Sequence, residues 1–364
     1  MTLSTAFHDS YGAEWRDNPP AVDHYGRPER EHLAVRQGVG VIDHHFDILR
    51  IRGDDRVSYV DNVVSNRIDA TSGTGSYAFL LDPDGTVRFD LVVCTAAEEL
   101  ILFVPPGIGS PLADEWREKV FIQDVEIDVV SDMYSCIGMY GPDATEQLWH
   151  MTTIDTRLET PWAFSQTSLT DHGITVINTD RPVGEPGYWL VCEQSAAEPV
   201  IETLITGGVQ AIPFGFLTWE ALTLEAGTPI YPADIEGEIP NSLGIRAALD
   251  FEKGCFIGQE VVSRIENRGR PPQRLIGLLP DTHPAAGDPI SDGTNDIGHI
   301  TRTAYSATRE APIAFGLVSY SCTAESVSIT SNSSEIPATV HSLPFVDGSE
   351  RSARLPVYPD EESD

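Results

Sequence analysis

Between Gly75 and Gly107 the chain reads GSYAFLLDPDGTVRFDLVVCTAAEELILFVPPG, three runs rich in Val, Phe and Leu broken at Asp84-Gly85 and again at an Ala-Ala-Glu-Glu stretch. Apolar runs punctuated in this way predict a β-meander with hairpin turns. Apolar spacing predicts helices at about 28–35, over GDDRVSYVDNVVSN, over PLADEWREKVF and over GPDATEQLWHM, with Pro28 and Pro142 suited to first turns. VGVIDHHFDILRIRG and VEIDVVSDMYSCIGMYG read as strands. The order then repeats: strands at GITVINTDR and GYWLVCE, a helix at SAAEPVIETLITGG, then FGFLTWEALTLEAG. Two α+β halves of similar plan are expected. From Arg274 the texture changes to short strands separated by Gly, Pro and Asp, which predicts a small β-barrel or sandwich beyond a boundary near 270–273. Residues after Phe345 read as an acidic, solvated tail, so the expected division is 1–270, 271–345 and 346–364.

At 364 residues and 41% hydrophobic content the chain can bury real cores. Its charge excludes more than its size does: 23 Lys+Arg against 56 Asp+Glu give a formal net charge of −33, which repels nucleic acid and anionic membranes. Only Lys119 and Lys253 are lysine. Such a surface is expected of a protein working in molar salt, where the Debye length shrinks to ~3 Å. An ordinary acidic protein is the alternative, and full folding in dilute buffer would favour it. Met1–His24 lacks the apolar core of a signal peptide and no long apolar run follows, so a soluble cytoplasmic protein is expected. Cys94, Cys136, Cys192, Cys255 and Cys322 are widely spaced without a CxxC pair, unlike a disulfide framework or a closed zinc site. His44 and His45 are adjacent on a predicted strand and point to opposite faces, so no metal site is expected.

The stretch DFEKGCFIGQEVVSRIENRG, 250–269, holds one of the two lysines two residues before a cysteine. Gly254 and Gly258 permit backbone conformations that strain other residues, and the Lys253 ammonium would favour a thiolate at Cys255. A reactive or ligand-contacting cysteine and a small buried one are both open at this point. Arg264, Arg268, Arg270 and Arg274 form a local basic strip, suited to an anionic ligand tail or to balancing nearby acids.

KGCFIGQE resembles the K-G-C-[FY]-x-G-Q-E signature of the YgfZ family, folate-binding proteins related to the T-protein (aminomethyltransferase) of the glycine-cleavage system. The resemblance runs over nearly the whole chain, through EREHLAVRQGVGVIDHHF, MYGPDATEQL, LTLEAGTPIYPADI and IGHITRTAYSATREAPIAFGLV. It implies an α+β folate-binding core of two ferredoxin-like halves followed by a β-barrel. The implied function is tetrahydrofolate-dependent assembly, maintenance or repair of iron–sulfur clusters, with a reduced folate and iron–sulfur client or assembly proteins as partners. The chain's own cysteines lack the clustering that would hold a cluster.

The same resemblance assigns residues. RPVGEPGYWLVC is similar to the T-protein's R-T-G-Y-T-G-E-x-G-[FY]-E, so Glu185 is expected to anchor the pterin, with Arg181 and Tyr188 beside it, although Trp189 replaces the final glutamate. A plain turn at Gly184–Gly187 is the alternative. DPDGTVRFDLVV looks like G-G-x-x-D-D-L, which leaves Asp90 to stabilise positive charge near folate N5, unless it is a strand-end aspartate facing solvent. Pro105 and Pro106 stand where the T-protein has Asn-Ala, and Thr223 where it often has arginine. These losses, with the complete signature, make Cys255 the expected working thiol, tuned by Lys253, and put Gly258, Gln259 and Arg268 on the folate. The alternatives are an aminomethyltransferase or related demethylase acting on tetrahydrofolate, and a non-catalytic interaction protein on the same fold.

Overall fold

The computed structural model describes residues 3–17, 20–154, 158–208 and 210–359. One antiparallel sheet runs in the order Thr74–Leu81, Val87–Thr95, Glu99–Val104, Asp47–Arg52, Glu126–Val129. A second runs Phe164–Leu169, His172–Asn178, Gly187–Glu193, Tyr134–Tyr140, Gly40–His44, Ile212–Pro213, with its last pair parallel. The predicted meander is the first three strands of the first sheet.

Alternation gives each sheet two faces. On the first sheet Leu80, Phe89, Leu91 and Leu102 pack with Val60, Leu112 and Trp116 of the helices Arg56–Val63 and Gly109–Lys119. On the second, Ile137, Met139, Val176 and Leu190 pack with Val200 and Leu204 of the helix Ala197–Thr206. The opposite faces meet each other through Tyr77, Phe79, Val92 and Phe103 from one sheet and Ile42, Cys136, Tyr140 and Trp189 from the other. Each large apolar side chain buried this way stabilises by about 1.5–3 kcal/mol. The helices therefore lie outside, and the sheets close on a shared core.

The barrel is a closed ring of six strands, Gln273–Pro280, Ala311–Ser319, Asp296–Ser306, Pro289–Ser291, Ser326–Ser331 and Ser334–His341. Leu278, Ile290, Ile300, Val318 and Ile329 fill it. Its docking to the core centres on buried Arg302, whose Nε lies 3.0 Å from Asp234 and whose Nη1 donates to Thr223 Oγ1 at 2.8 Å. Thr223, expected as a loss from the folate site, is thus a junction residue on the helix Phe216–Glu225. The α+β core followed by a β-barrel is the architecture read from the sequence.

The expected solvated tail is corrected as far as residue 359. Ser352, Arg354 and Tyr358 are buried, the Ala353 N–H donates to Asp180 O at 2.9 Å, and the Tyr358 hydroxyl donates to Ser242 O at 2.7 Å. The segment straps the core because its arginine and tyrosine find buried partners there. Residues 360–364, the most acidic part of the expected tail, lie outside the described residues.

Candidate functional site

Between the two sheets lies a cavity of about 390 Å³, walled by Phe46, Phe103, Trp162, Trp189 and Trp219, with Asp90, Asp180, Tyr77 and Arg354 at its polar end. Strand alternation decides which carboxylate reaches it. Phe89 points into the outer core, 2% exposed, and its neighbour Asp90 points inward. The Tyr77 hydroxyl donates to Asp90 Oδ2 at 2.8 Å, and Arg354 Nη1 lies 3.8 Å from the same oxygen. Arg354 Nε is 2.8 Å from Asp180, and its guanidinium sits 5.0 Å above the Tyr77 ring. Burial pushes the carboxyls of Asp90 and Asp180 up from the ordinary aspartate range, while Arg354 pulls both back. One cation thus serves two buried carboxylates.

The far wall is a second network. Burial lowers the His44 imidazole to about 3, so it is neutral at working pH. Buried Tyr140 keeps its proton and lies 2.8 Å from His44 Nε2, and its oxygen accepts from Trp189 Nε1–H at 2.9 Å. Gly138 makes room for these rings: a Cβ there would stand 2.6 Å from both His44 Nε2 and the Tyr140 ring. Trp162 adopts φ +67, a left-handed conformation unusual for so bulky a residue, and packs 5.1 Å from Trp189. His45 also lines the cavity, because the strand carrying His44 ends there and the opposite-face argument no longer applies.

Of the residues expected from sequence, Asp90 lines the cavity, as do Pro105 and Pro106. Glu185 does not. Its Oε1 accepts from Arg36 Nη1 at 3.2 Å and its Oε2 from the backbone N–H and hydroxyl of Ser349, so the expected pterin anchor is a buried brace between core and strap. Arg181 pairs with Glu350 at 3.1 Å on that side. Tyr188 faces the outer core and bonds Thr145 at 3.0 Å; its neighbour Trp189, which the sequence offered only as a departure, is the residue of that strand that enters the cavity.

The KGCFIGQE loop lies outside the cavity lining as well. Cys255 is exposed, which rules out the buried alternative. Lys253 is buried and donates to three backbone carbonyls, those of Asp61, Val64 (2.9 Å) and Asn66 (2.8 Å). Its three N–H donors are therefore engaged at the end of the helix Arg56–Val63, and a thiol-tuning role gives way to a structural one. A compact ammonium suits three converging oxygens where a planar guanidinium does not, which explains a lysine here. Gly258 caps the helix Gln259–Arg268 in a left-handed conformation, and a Cβ on it would meet Asp82 O at 2.7 Å. Gln259 opens that helix half-buried, and Arg268 is exposed near its end. We expect Lys253→Met to lower stability by about 2–3 kcal/mol through its unsatisfied carbonyls, and Cys255→Ala to change it by less than about 0.5 kcal/mol. Urea midpoints in high salt measure both, and equal midpoints would contradict the structural role.

An aromatic cavity between two sheets, with a buried carboxylate–guanidinium pair at one end and a barrel appended, defines an α+β protein with a pocket of small-molecule size. The chain belongs to the glycine-cleavage T-protein family: the GCVT N-terminal domain matches residues 14–253 and the glycine cleavage T-protein C-terminal barrel domain matches residues 273–347. It is 28% identical over 363 residues to an aminomethyltransferase of Streptomyces avermitilis, covering 94% of this chain and 96% of that one. An aminomethyltransferase of Bacillus subtilis is 27% identical over 300 residues, covering 80% and 82%. The crystal structure of glycine cleavage system aminomethyltransferase T from Bartonella henselae superposes with a TM-score of 0.83 at 21% identity, covering 95% of this chain and 97% of that one, and so shares the fold. No helix among the described residues is long and apolar enough to cross a membrane.

Proposed function

We propose that the protein is a tetrahydrofolate-dependent one-carbon transferase whose reacting groups meet at Asp90. The supporting observation is a carboxylate pushed up by burial, oriented by Tyr77 and Arg354, at the end of an aromatic cavity. The cavity volume falls within the roughly 300–1,000 Å³ of small-molecule sites, and Trp162, Trp189 and Phe103 offer flat faces to a pteridine or benzoyl ring. Bound there, tetrahydrofolate supplies the secondary amine that receives the carbon. Asp90 places negative charge where positive charge develops as the donor's carbon–sulfur bond breaks and the thiolate leaves with its electron pair, and in its protonated form gives a proton to the amine that departs as ammonia. Tyr77 and Arg354 fix its direction, and the rings keep water from the reacting atoms. The names of the relatives support an aminomethyl donor.

A second reading rests on one observation, the exposed Cys255 within KGCFIGQE: a YgfZ-type protein that uses folate in iron–sulfur cluster assembly or repair in the cytoplasm of a salt-adapted cell. Tetrahydrofolate titrated into the protein in molar salt is expected to quench the emission of Trp162, Trp189 and Trp219 and to saturate, and a lipoyl-bound aminomethyl donor then gives turnover. No quenching by any reduced folate in folded protein favours a non-catalytic interaction protein. Quenching without turnover, with aconitase activity lost on gene deletion and restored by wild type but not by Cys255→Ala, favours the second reading.

A further inference from the structure

This surface offers carboxylates in such excess that arginines as far apart as Arg16, Arg52, Arg88, Arg117 and Arg181 each have one at 2.7–3.1 Å. Arg264, Arg268 and Arg270 are exposed and, like Arg27, Arg30 and Arg351, have no such partner among the described residues, but they stand as three within seven positions of the sequence. Arg264 and Arg268 are four apart on the helix Gln259–Arg268 and share one face, and Gly269 (φ +73) turns the chain to Arg270 just beyond it. Two carboxylates lie on the same helix. Glu266 is engaged by Arg246 at 2.6 Å and by Asn241 at 3.1 Å, and Glu260, one turn before Arg264, forms no ion pair among the described residues. None of the three arginines lines the central cavity, so a contact between Arg268 and a folate tail bound there is not supported. Three guanidinium forks left open on a chain of net charge −33 match carboxylates arriving from another molecule.

We propose that this helix face, with Arg264, Arg268 and Arg270, docks an acidic segment of a partner protein beside the exposed Cys255. The helix spans only ~15 Å, which suits a short acidic segment. A nucleic acid strand would extend past it onto the surrounding acidic surface, which repels it. High salt screens the long-range repulsion between two acidic proteins and leaves close carboxylate–guanidinium contacts to set the register. Cys255 lies on the loop entering the same helix, four residues before Gln259, and a segment running from Arg270 and Arg268 past Arg264 toward the helix start reaches the approach to the thiol. The inference is independent of the chemistry proposed for the cavity.

The test uses the full chain and a fluorescein-labelled octaglutamate peptide, read by anisotropy and by the rate of Cys255 alkylation. Wild type is expected to bind the peptide and to alkylate more slowly in its presence. Arg264→Glu/Arg268→Glu/Arg270→Glu is expected to bind at least tenfold more weakly, and the same three positions changed to Gln to fall between. Arg27→Glu/Arg30→Glu, at arginines also without a carboxylate partner among the described residues but with the exposed Glu29 between them, is expected to bind as wild type does. Equal affinity in the patch variants overturns the proposal. Equal binding of a single-stranded oligonucleotide of the same charge overturns it in favour of an unspecific anion site. Binding that emerges only after residues 360–364 are removed overturns it in favour of the chain's own acidic end as occupant.

Discussion

Asp90→Asn is expected to lower turnover by about 10²–10³-fold, the range found when one electrostatic stabiliser is removed, while tetrahydrofolate affinity changes by less than about threefold. Asparagine keeps the size of the side chain and still accepts from the Tyr77 hydroxyl, but it carries neither the charge nor the proton. The same change is expected to raise stability near neutral pH. The Asp90 carboxyl is held above its unfolded value chiefly by burial, so its ionisation opposes folding. The native state then binds more protons than the unfolded one, and stability falls as pH rises from the unfolded aspartate value through the raised native one. The asparagine variant has no group to ionise at this position and escapes that decline. Turnover down and melting temperature up in one variant is the signature of a group held for chemistry at a cost to the fold. Unchanged turnover would remove Asp90 from the reaction.

Glu225→Gln is expected to cost about 3–5 kcal/mol, as breaking a buried ion pair does when its partner stays behind. Glu225 is fully buried and accepts from Arg36 Nη2 at 2.7 Å and His32 Nε2 at 2.9 Å, while Ser306 of the barrel donates to its other oxygen. It ties a core helix, the helix Phe216–Glu225 and the barrel at one point. Burial alone would raise its carboxyl, but His32, Arg36 and Ser306 outweigh it and bring the pKa down to about 2. A depressed carboxylate contributes stability above its unfolded value, about 4.3, and loses it as pH falls through about 2. Wild type should therefore lose stability steeply between about pH 4 and pH 2, and the Gln variant, already without that contribution, less steeply. Parallel acid curves for the two would show that the junction does not rest on this carboxylate.

The punctuated apolar runs of the meander are enough to predict its strands, and the Gly- and Pro-punctuated run after Arg274 is enough to predict a small barrel or sandwich. Both signals are local. Which of two adjacent residues faces a cavity is not local, because strand pairing and sheet packing settle it. Tyr188 and Trp189 stand side by side, and only the packing of the second sheet shows that the tryptophan enters the site. Asp90 is named through the resemblance of DPDGTVRFDLVV to G-G-x-x-D-D-L, with a solvent-facing aspartate left open, and the structure puts it on the cavity wall. Glu185 is placed on the pterin by the resemblance of RPVGEPGYWLVC to the T-protein segment, which carries no record that Arg36 and Ser349, 149 residues before and 164 after it, take both its oxygens. Lys253 stands out as one of two lysines and reads as tuning Cys255, but its partners are carbonyls about 190 positions away, which no spacing rule reveals. Arg354 was missed altogether, since composition marked its surroundings as solvent-exposed.

Arg354 also sets an order of events during synthesis. Chains fold from the N-terminal side as they are made, and both sheets precede the barrel, which precedes the strap bearing this guanidinium. A ribosome-bound chain that has completed both sheets has two inward carboxylates and no cation between them. Only after the barrel has emerged does the strap lie back across the core and neutralise them. The barrel is in this sense a checkpoint: an intermediate arrested before it holds both sheets and still lacks the cation that completes the polar end of the cavity.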